Sequence, residues 1–240
     1  MTCMTIRLPA RLILSILCAA LAVFAAASVT LYVGRRVTAS MQMGGAAPVV
    51  VIDAGHGGFD GGAVAADGTE EKGLNLQIAL RLRDSMTLLG VNTVMVREDD
   101  RSVETSGSTV RQRKVSDMHN RLALMKKYPS SSFISIHLNK FSESSSHGAQ
   151  VFYAAADGSQ PLAESIQSSI ISAVQPENSR GIKPGTKDTF LLYHAPVPAV
   201  IVECGFLSNP ADLANLKDEN YQAKLAFAIA CGYLTAQAAK

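Results

Sequence analysis

From Pro48 onward the chain alternates short apolar runs with longer stretches that repeat apolar residues at helical spacing. That alternation limits the fold more than any other feature. Val49 to Ile52 is a continuous apolar run and reads as a buried strand. Leu74, Ile78, Leu82, Met86 and Leu89 make one stripe of a helix over Lys72–Leu89, closed by Gly90. Val91–Val96 reads as a second strand, and the polar stretch Arg101–Lys114 as a loop. Val115, Met118, Leu122 and Met125 mark a helix that stops near Pro129. Ser132–Leu138 and Ala149–Ala154 read as strands, and Leu162, Ile166, Ile170 and Val174 as a helical stripe. Thr189–Tyr193 reads as a short strand, Ala199–Cys204 as a buried one, and Tyr221–Ala236 as a closing helix. Strands separated by helices predict a single α/β domain with a mixed, largely parallel sheet flanked by helices.

The first strand ends in an unusual way. In PVVVIDAGHGGFDGGAV the apolar run meets Asp53 and then a glycine-rich loop with His56 at its centre. A dinucleotide fingerprint would need a third glycine where Asp60 stands, and a P-loop would need Gly-Lys-Ser/Thr at its end. Asp53 and Asp60 would also repel a phosphate. Two readings survive: a neutral imidazole exposed as a metal ligand, or a tight turn whose histidine is merely solvated.

In open α/β sheets, sites gather beyond the carboxyl ends of the strands. Four candidate groups fall there: His56 after the first strand, Glu71 at the start of the next helix, His137 in FISIHLN, and Glu203 in AVIVECGF. Each has an ordinary alternative. Glu71 could simply favour the positive end of its helix, and His137 could be a core histidine bonded to backbone. Glu203 is harder to explain away, because a carboxylate buried in an apolar strand without a partner costs several kcal/mol. Strand alternation puts it on the face opposite Val202 and Cys204, so Cys204 points away from any site there. Two histidines and a glutamate around an open fourth position form the pattern of a catalytic zinc site, beside which a further carboxylate can move protons. His119, His147 and His194 read as structural or solvated.

Composition narrows the partners. The 240-residue chain carries a net charge of +2, which predicts no nucleic-acid partner, and it lacks tryptophan. Cys3, Cys18, Cys204 and Cys231 form no C-x-x-C pair and read as free thiols. Residues 1–34 are read as a membrane anchor or signal segment. Arg7 and Arg11 precede an uncharged run from Leu12 to Gly34, closed by Arg35-Arg36. At about 1.5 Å per residue the run spans a bilayer core of about 30 Å. That length favours an uncleaved anchor, whereas Ala25-Ala26-Ala27 before Ser28 resembles a cleavage site. Residues 35–47 read as a linker, and 48–240 as the catalytic domain.

VVIDAGHGGFDGGAV, EKGLN, FISIHLN and IVECGFLSNPAD, in this order, resemble the zinc-dependent N-acetylmuramoyl-L-alanine amidases of bacterial cell walls. The similarity runs from Val49 nearly to the C-terminus. It implies hydrolysis of the amide between N-acetylmuramic acid and the L-alanine of the stem peptide. It also implies Zn²⁺ bound by His56, Glu71 and His137, with Glu203 as the catalytic glutamate. Glu71 rather than Glu70 fits because the motif is E-K-x-x-N, here Glu71-Lys72-x-x-Asn75. The N-terminal segment, the single catalytic domain, GSTVRQRKVSDMHNR and HGAQVFY resemble the germination-specific amidases of spore formers, which act towards muramic-δ-lactam in spore cortex. Ala54 and Leu138 depart from the proline and alanine common in the family. The short connection from His137 to Gly148 leaves no room for the blocking helix of some division amidases. The resemblance implies peptidoglycan glycan strands with stem peptides as partner, a membrane contact through the N-terminal segment, and action outside the cytoplasmic membrane. The rival readings are a non-catalytic wall-binding protein and another zinc hydrolase, a deacetylase or a peptidase. A protein partner is not readable.

Overall fold

The computed structural model of the chain describes residues 49–239. The segments 1–34 and 35–47, with Cys3 and Cys18, lie outside the described residues. Among the described residues no helix is long and apolar enough to cross a membrane.

The strands are β1 (Val49–Ala54), β2 (Asn92–Met95), β3 (Ser132–Asn139), β4 (Gln150–Tyr153), β5 (Lys183–Pro184) and β6 (Ala199–Phe206). They form one 6-stranded sheet in the order β2-β1-β3-β6-β4-β5. β1 pairs in parallel with β2 and β3, and β3 with β6, whereas β4 runs antiparallel to β6. The expected mixed, largely parallel sheet is therefore present. The helices are α1 (Glu71–Leu88), α2 (Val110–Lys127), α3 (Ser159–Ala173), α4 (Phe190–Tyr193), α5 (Pro210–Lys217) and α6 (Glu219–Ala238).

Alternation along the strands divides the apolar residues between two layers. Val50, Ile52, Ile134, Ile136, Val200 and Val202 face a large core against α1, α3 and α6. Val51, Phe133 and Ala199 face a smaller one with Leu122, Met125, Leu191 and Leu192 from α2 and α4. α1 illustrates the logic. Its stripe Leu74, Ile78, Leu82 and Met86 is buried against the sheet. Such burial contributes about 1.5–3 kcal/mol per large side chain. The helix ends where Gly90 takes a φ of 76°, a conformation a side chain would resist.

Four segments differ from the sequence reading. Thr189–Tyr193 is not a strand: Phe190–Tyr193 makes one helical turn, with the Tyr193 amide donating to Thr189 O at 2.9 Å. An apolar run this short has no period to tell helix from strand. The supposed loop Arg101–Lys114 already contains the start of α2. Thr109 caps it, and Gln112 reaches back to complete a capping box. α5 escaped notice because only Leu216 in it is buried; Asn209 caps its first turn ahead of Pro210. β5 is a two-residue exposed edge strand with no pattern to detect.

Candidate metal centre

Because β1, β3 and β6 run parallel, their carboxyl ends meet along one edge. Ile134, Ile136 and Leu138 of β3 enter the large core, so Ser135 and His137 face the α2 side. His137 stands directly opposite Glu203 of β6 in the pairing register. Cys204, next along, is sealed in the large core as expected, and burial pushes its thiol well above the usual range.

Past β1 the backbone turns sharply. His56 has a φ of 61°, rare for a residue with a side chain, and Gly57 and Gly58 follow at 132° and 54°. The turn sends the His56 ring back across the sheet edge, 5.0 Å from the His137 ring and edge-on to it. Two glycines leave the room. A Cβ on Gly55 would lie 2.2 Å from His137 Nε2, and one on Gly62 would lie 2.6 Å from Glu71 Oε2.

Glu71 joins the two histidines from the first turn of α1. Its Oε2 lies 3.2 Å from His56 Nε2 and its Oε1 3.0 Å from His137 Nδ1. The same carboxylate accepts from the amides of Ala63 at 2.9 Å and Leu138 at 3.1 Å, and from Asn75 Nδ2 at 3.0 Å. On the far side of its ring, His56 Nδ1 meets Asp60 Oδ2 at 3.0 Å. Burial works against the charged imidazole of His56, but the bonds and charges of Asp60 and Glu71 outweigh it and push its pKa up to about 9. Burial likewise opposes the Glu71 carboxylate, and the two histidines overcome it, holding the carboxyl well below its ordinary range. His56, Glu71 and His137 each offer a ligand atom, all within 4.8 Å of one another. Two imidazoles and a carboxylate this close fit a divalent transition metal, zinc foremost.

Glu203 differs in kind. Its Oε2 is buried and has no hydrogen-bond partner among the described residues. Burial raises its pKa to about 7, with the nearby Glu71 charge adding to the effect and the two histidines opposing it. With His56, His137, Asp60 and Phe190 it lines a cleft of about 390 Å³. A larger hollow of about 740 Å³ lies over Thr105–Asn120 and includes none of the four predicted residues. The cleft with chemistry is the smaller one.

Residues 50–234 match the family Amidase_3, N-acetylmuramoyl-L-alanine amidase. The chain belongs to the N-acetylmuramoyl-L-alanine amidase family. It is 32% identical over 193 residues to the germination-specific N-acetylmuramoyl-L-alanine amidase of Bacillus subtilis, covering 78% of each protein. Among solved structures it is similar to the CwlD amidase of Clostridioides difficile, determined in complex with the GerS lipoprotein. That match has 38% identity and a TM-score of 0.77, over 80% of this chain and 100% of that one. An N-acetylmuramoyl-L-alanine amidase of Clostridium difficile 630 gives 32% identity and a TM-score of 0.70, over 80% of this chain and 98% of the other.

In this amidase the four sequence-predicted residues come together at one edge. His119 stacks on Phe190 and His194 packs tilted against it instead, with ring centroids 5.3 and 4.6 Å away, and His147 is bonded to the Ser145 carbonyl on an outer loop. Sequence reasoning noticed Asp60 only as a charge hostile to phosphate, yet Asp60 orients His56. It missed the buried arginines Arg97 and Arg121 altogether. For Arg121 a signal existed: it sits three residues after Met118 and four before Met125, on the buried face of α2.

Proposed function

We propose that this amidase hydrolyses the amide between the lactyl group of N-acetylmuramic acid and the L-alanine of the peptidoglycan stem, with Zn²⁺ held by His56, Glu71 and His137. The bound metal would polarise the scissile carbonyl and acidify water near pH 7. Glu203 is the general base in this reading: its unpartnered Oε2 takes a proton from the attacking water and returns it to the departing alanine nitrogen. A pKa near the operating pH suits a group that must both accept and give a proton. Asp60, on His56 Nδ1, orients that imidazole so that Nε2 faces the site. Cys204 plays no part, since its thiol is sealed in the opposite core and resists ionisation.

The observation that carries this reading is the pairing of two environments. A fully bonded carboxylate, Glu71, lies between the imidazoles, and an unbonded one, Glu203, stands across the strand register from His137. Similarity to a germination-specific amidase supports a role in spore cortex, towards muramic-δ-lactam. The apolar run Leu12–Gly34 supports an exported domain, tethered by an anchor or freed from a signal segment, acting outside the cytoplasmic membrane.

The test is mass spectrometry of purified peptidoglycan after incubation with the protein. Free stem peptides with a new N-terminal alanine are expected, and a chelator should abolish them. Glu203→Gln should keep its zinc and lose most turnover. Release of acetate, or of shortened peptides only, would assign a deacetylase or a peptidase instead. Binding without any product would assign a wall-binding protein.

A further inference from the structure

Two arginines are buried beside the metal-binding loop, and the proposed chemistry uses neither. Arg97 follows β2 and is fully buried, yet its side chain pairs with no carboxylate among the described residues. All of its side-chain hydrogen bonds go to backbone carbonyls. Nε donates to Ala54 O at 2.8 Å, Nη2 to Gly55 O and Lys72 O at 2.9 Å each, and Nη1 to Asp99 O at 3.0 Å. Arg121 of α2 reaches the same loop from the other layer. Its Nη2 donates to His56 O at 2.7 Å and its Nη1 to Ala54 O at 3.1 Å. The Arg121 charge is balanced by Asp53 and by Asp117, whose Oδ2 accepts from Nε at 2.5 Å. Asp53 is braced in turn by the Ser135 hydroxyl at 2.7 Å, two residues before His137.

Consecutive carbonyls of Ala54, Gly55 and His56 are thus all held by guanidinium groups. This is where the chain enters three successive left-handed conformations, the first of them at a residue with a side chain. Local preference opposes that path, so contacts from outside must impose it. Burying a guanidinium whose hydrogen bonds all go to neutral carbonyls carries a heavy desolvation cost. An apolar side chain there would hold none of these carbonyls. The planar five-donor fork, however, can bind carbonyls on separate segments at fixed spacing, which an ammonium cannot do. Arg97 ties Gly55, the neighbour of His56, to Lys72, the neighbour of Glu71. Arg121 ties His56 itself to Asp53 and, through Ser135, to the strand that carries His137.

We propose that Arg97 and Arg121 are positioning residues that preassemble the metal site by fixing the main chain of its three ligands relative to one another. The proposal rests on the metal reading of His56, Glu71 and His137. It locates the preorganisation in carbonyl capture, beyond the side-chain bond from Asp60.

The test compares Arg97→Lys and Arg121→Lys with the wild-type protein; each keeps the charge and loses the fork. Metal affinity is read by competition between metal-stripped protein and a chromophoric chelator for Zn²⁺. Amide hydrogen exchange is followed in the metal-free state. The expected result is roughly 10–100-fold weaker zinc binding. Faster exchange should be confined to residues 55–62, and excess zinc should restore kcat with KM unchanged. Variants with wild-type affinity and wild-type loop protection would overturn the positioning role while the metal reading stands. A wild-type protein that takes up no zinc would overturn both. If a lysine variant does not fold, Asp117→Asn supplies the second arm. It leaves Arg121 in place but removes half of its charge support, and zinc binding should weaken several-fold. Unchanged affinity there would count against the proposal.

Discussion

Glu203→Gln should stabilise the metal-free protein, and by an amount the site itself sets. In the folded chain the carboxyl titrates at about 7, against 4.5 in its ordinary state, chiefly because burial penalises its charge. At about 1.4 kcal/mol per pH unit, that difference corresponds to about 3 kcal/mol. The sign follows from proton counts. Between pH 4.5 and 7 the folded carboxyl keeps a proton that the unfolded one has lost, so the contribution of Glu203 to stability falls as pH rises through that window and is constant above it. Glutamine has no such proton to lose, and Oε2 has no hydrogen bond for the amide to break. Urea titrations of metal-stripped protein at several pH values provide the assay. Wild type and variant should match near pH 4, and the variant should be more stable by about 3 kcal/mol at pH 8. In melting temperature this is about 6–12 °C for a domain of this size. A difference that does not change with pH, or a variant less stable at pH 8, would refute the claim that Glu203 is held at a cost in stability for its chemistry.

Three further outcomes follow from the same geometry. Metal uptake should strengthen about tenfold per pH unit up to about 9, because His56 must release its proton before its nitrogen can bind; chelator competition from pH 6 to 10 would expose a flat profile if this is wrong. Gly62→Ala should lose metal, since its Cβ would stand 2.6 Å from Glu71 Oε2 and 2.7 Å from His56 Cδ2, and elemental analysis of the folded variant would contradict this by finding full occupancy. Cys204→Ala should retain turnover at a stability cost of about 1 kcal/mol, and native iodoacetamide labelling should find Cys231 while sparing the buried Cys204; loss of activity in a folded alanine variant would contradict the exclusion of this thiol from the chemistry.

What was legible in the sequence divides along a physical line. Apolar alternation exposed β1, β3 and β6 because each is buried on both faces and has few polar positions to blur it. It failed at Phe190–Tyr193, where one helical turn contains too little sequence to show a period. Glu203 stood out because a carboxylate in an apolar strand contradicts local preference, and His56 because glycines crowd around it. Arg97 and Arg121 contradict local preference just as strongly. Each is a buried charge within or beside an apolar pattern, yet the eye passes over arginine as a surface residue. Their meaning depends on partners far along the chain: Arg121 meets Asp53 across 68 positions, and Arg97 meets Ala54 across 43. Such partners are invisible until the sheet brings the strand ends together. The illegible residues are therefore not incidental packing. A site that keeps one carboxylate unpartnered and one histidine left-handed needs support from outside its own segment, and the support must come from groups that can bind carbonyls without themselves becoming ligands. Arginine, permanently protonated and with no lone pair to offer a metal, meets both conditions, whereas a third histidine at either position would compete for the ion it was meant to help hold.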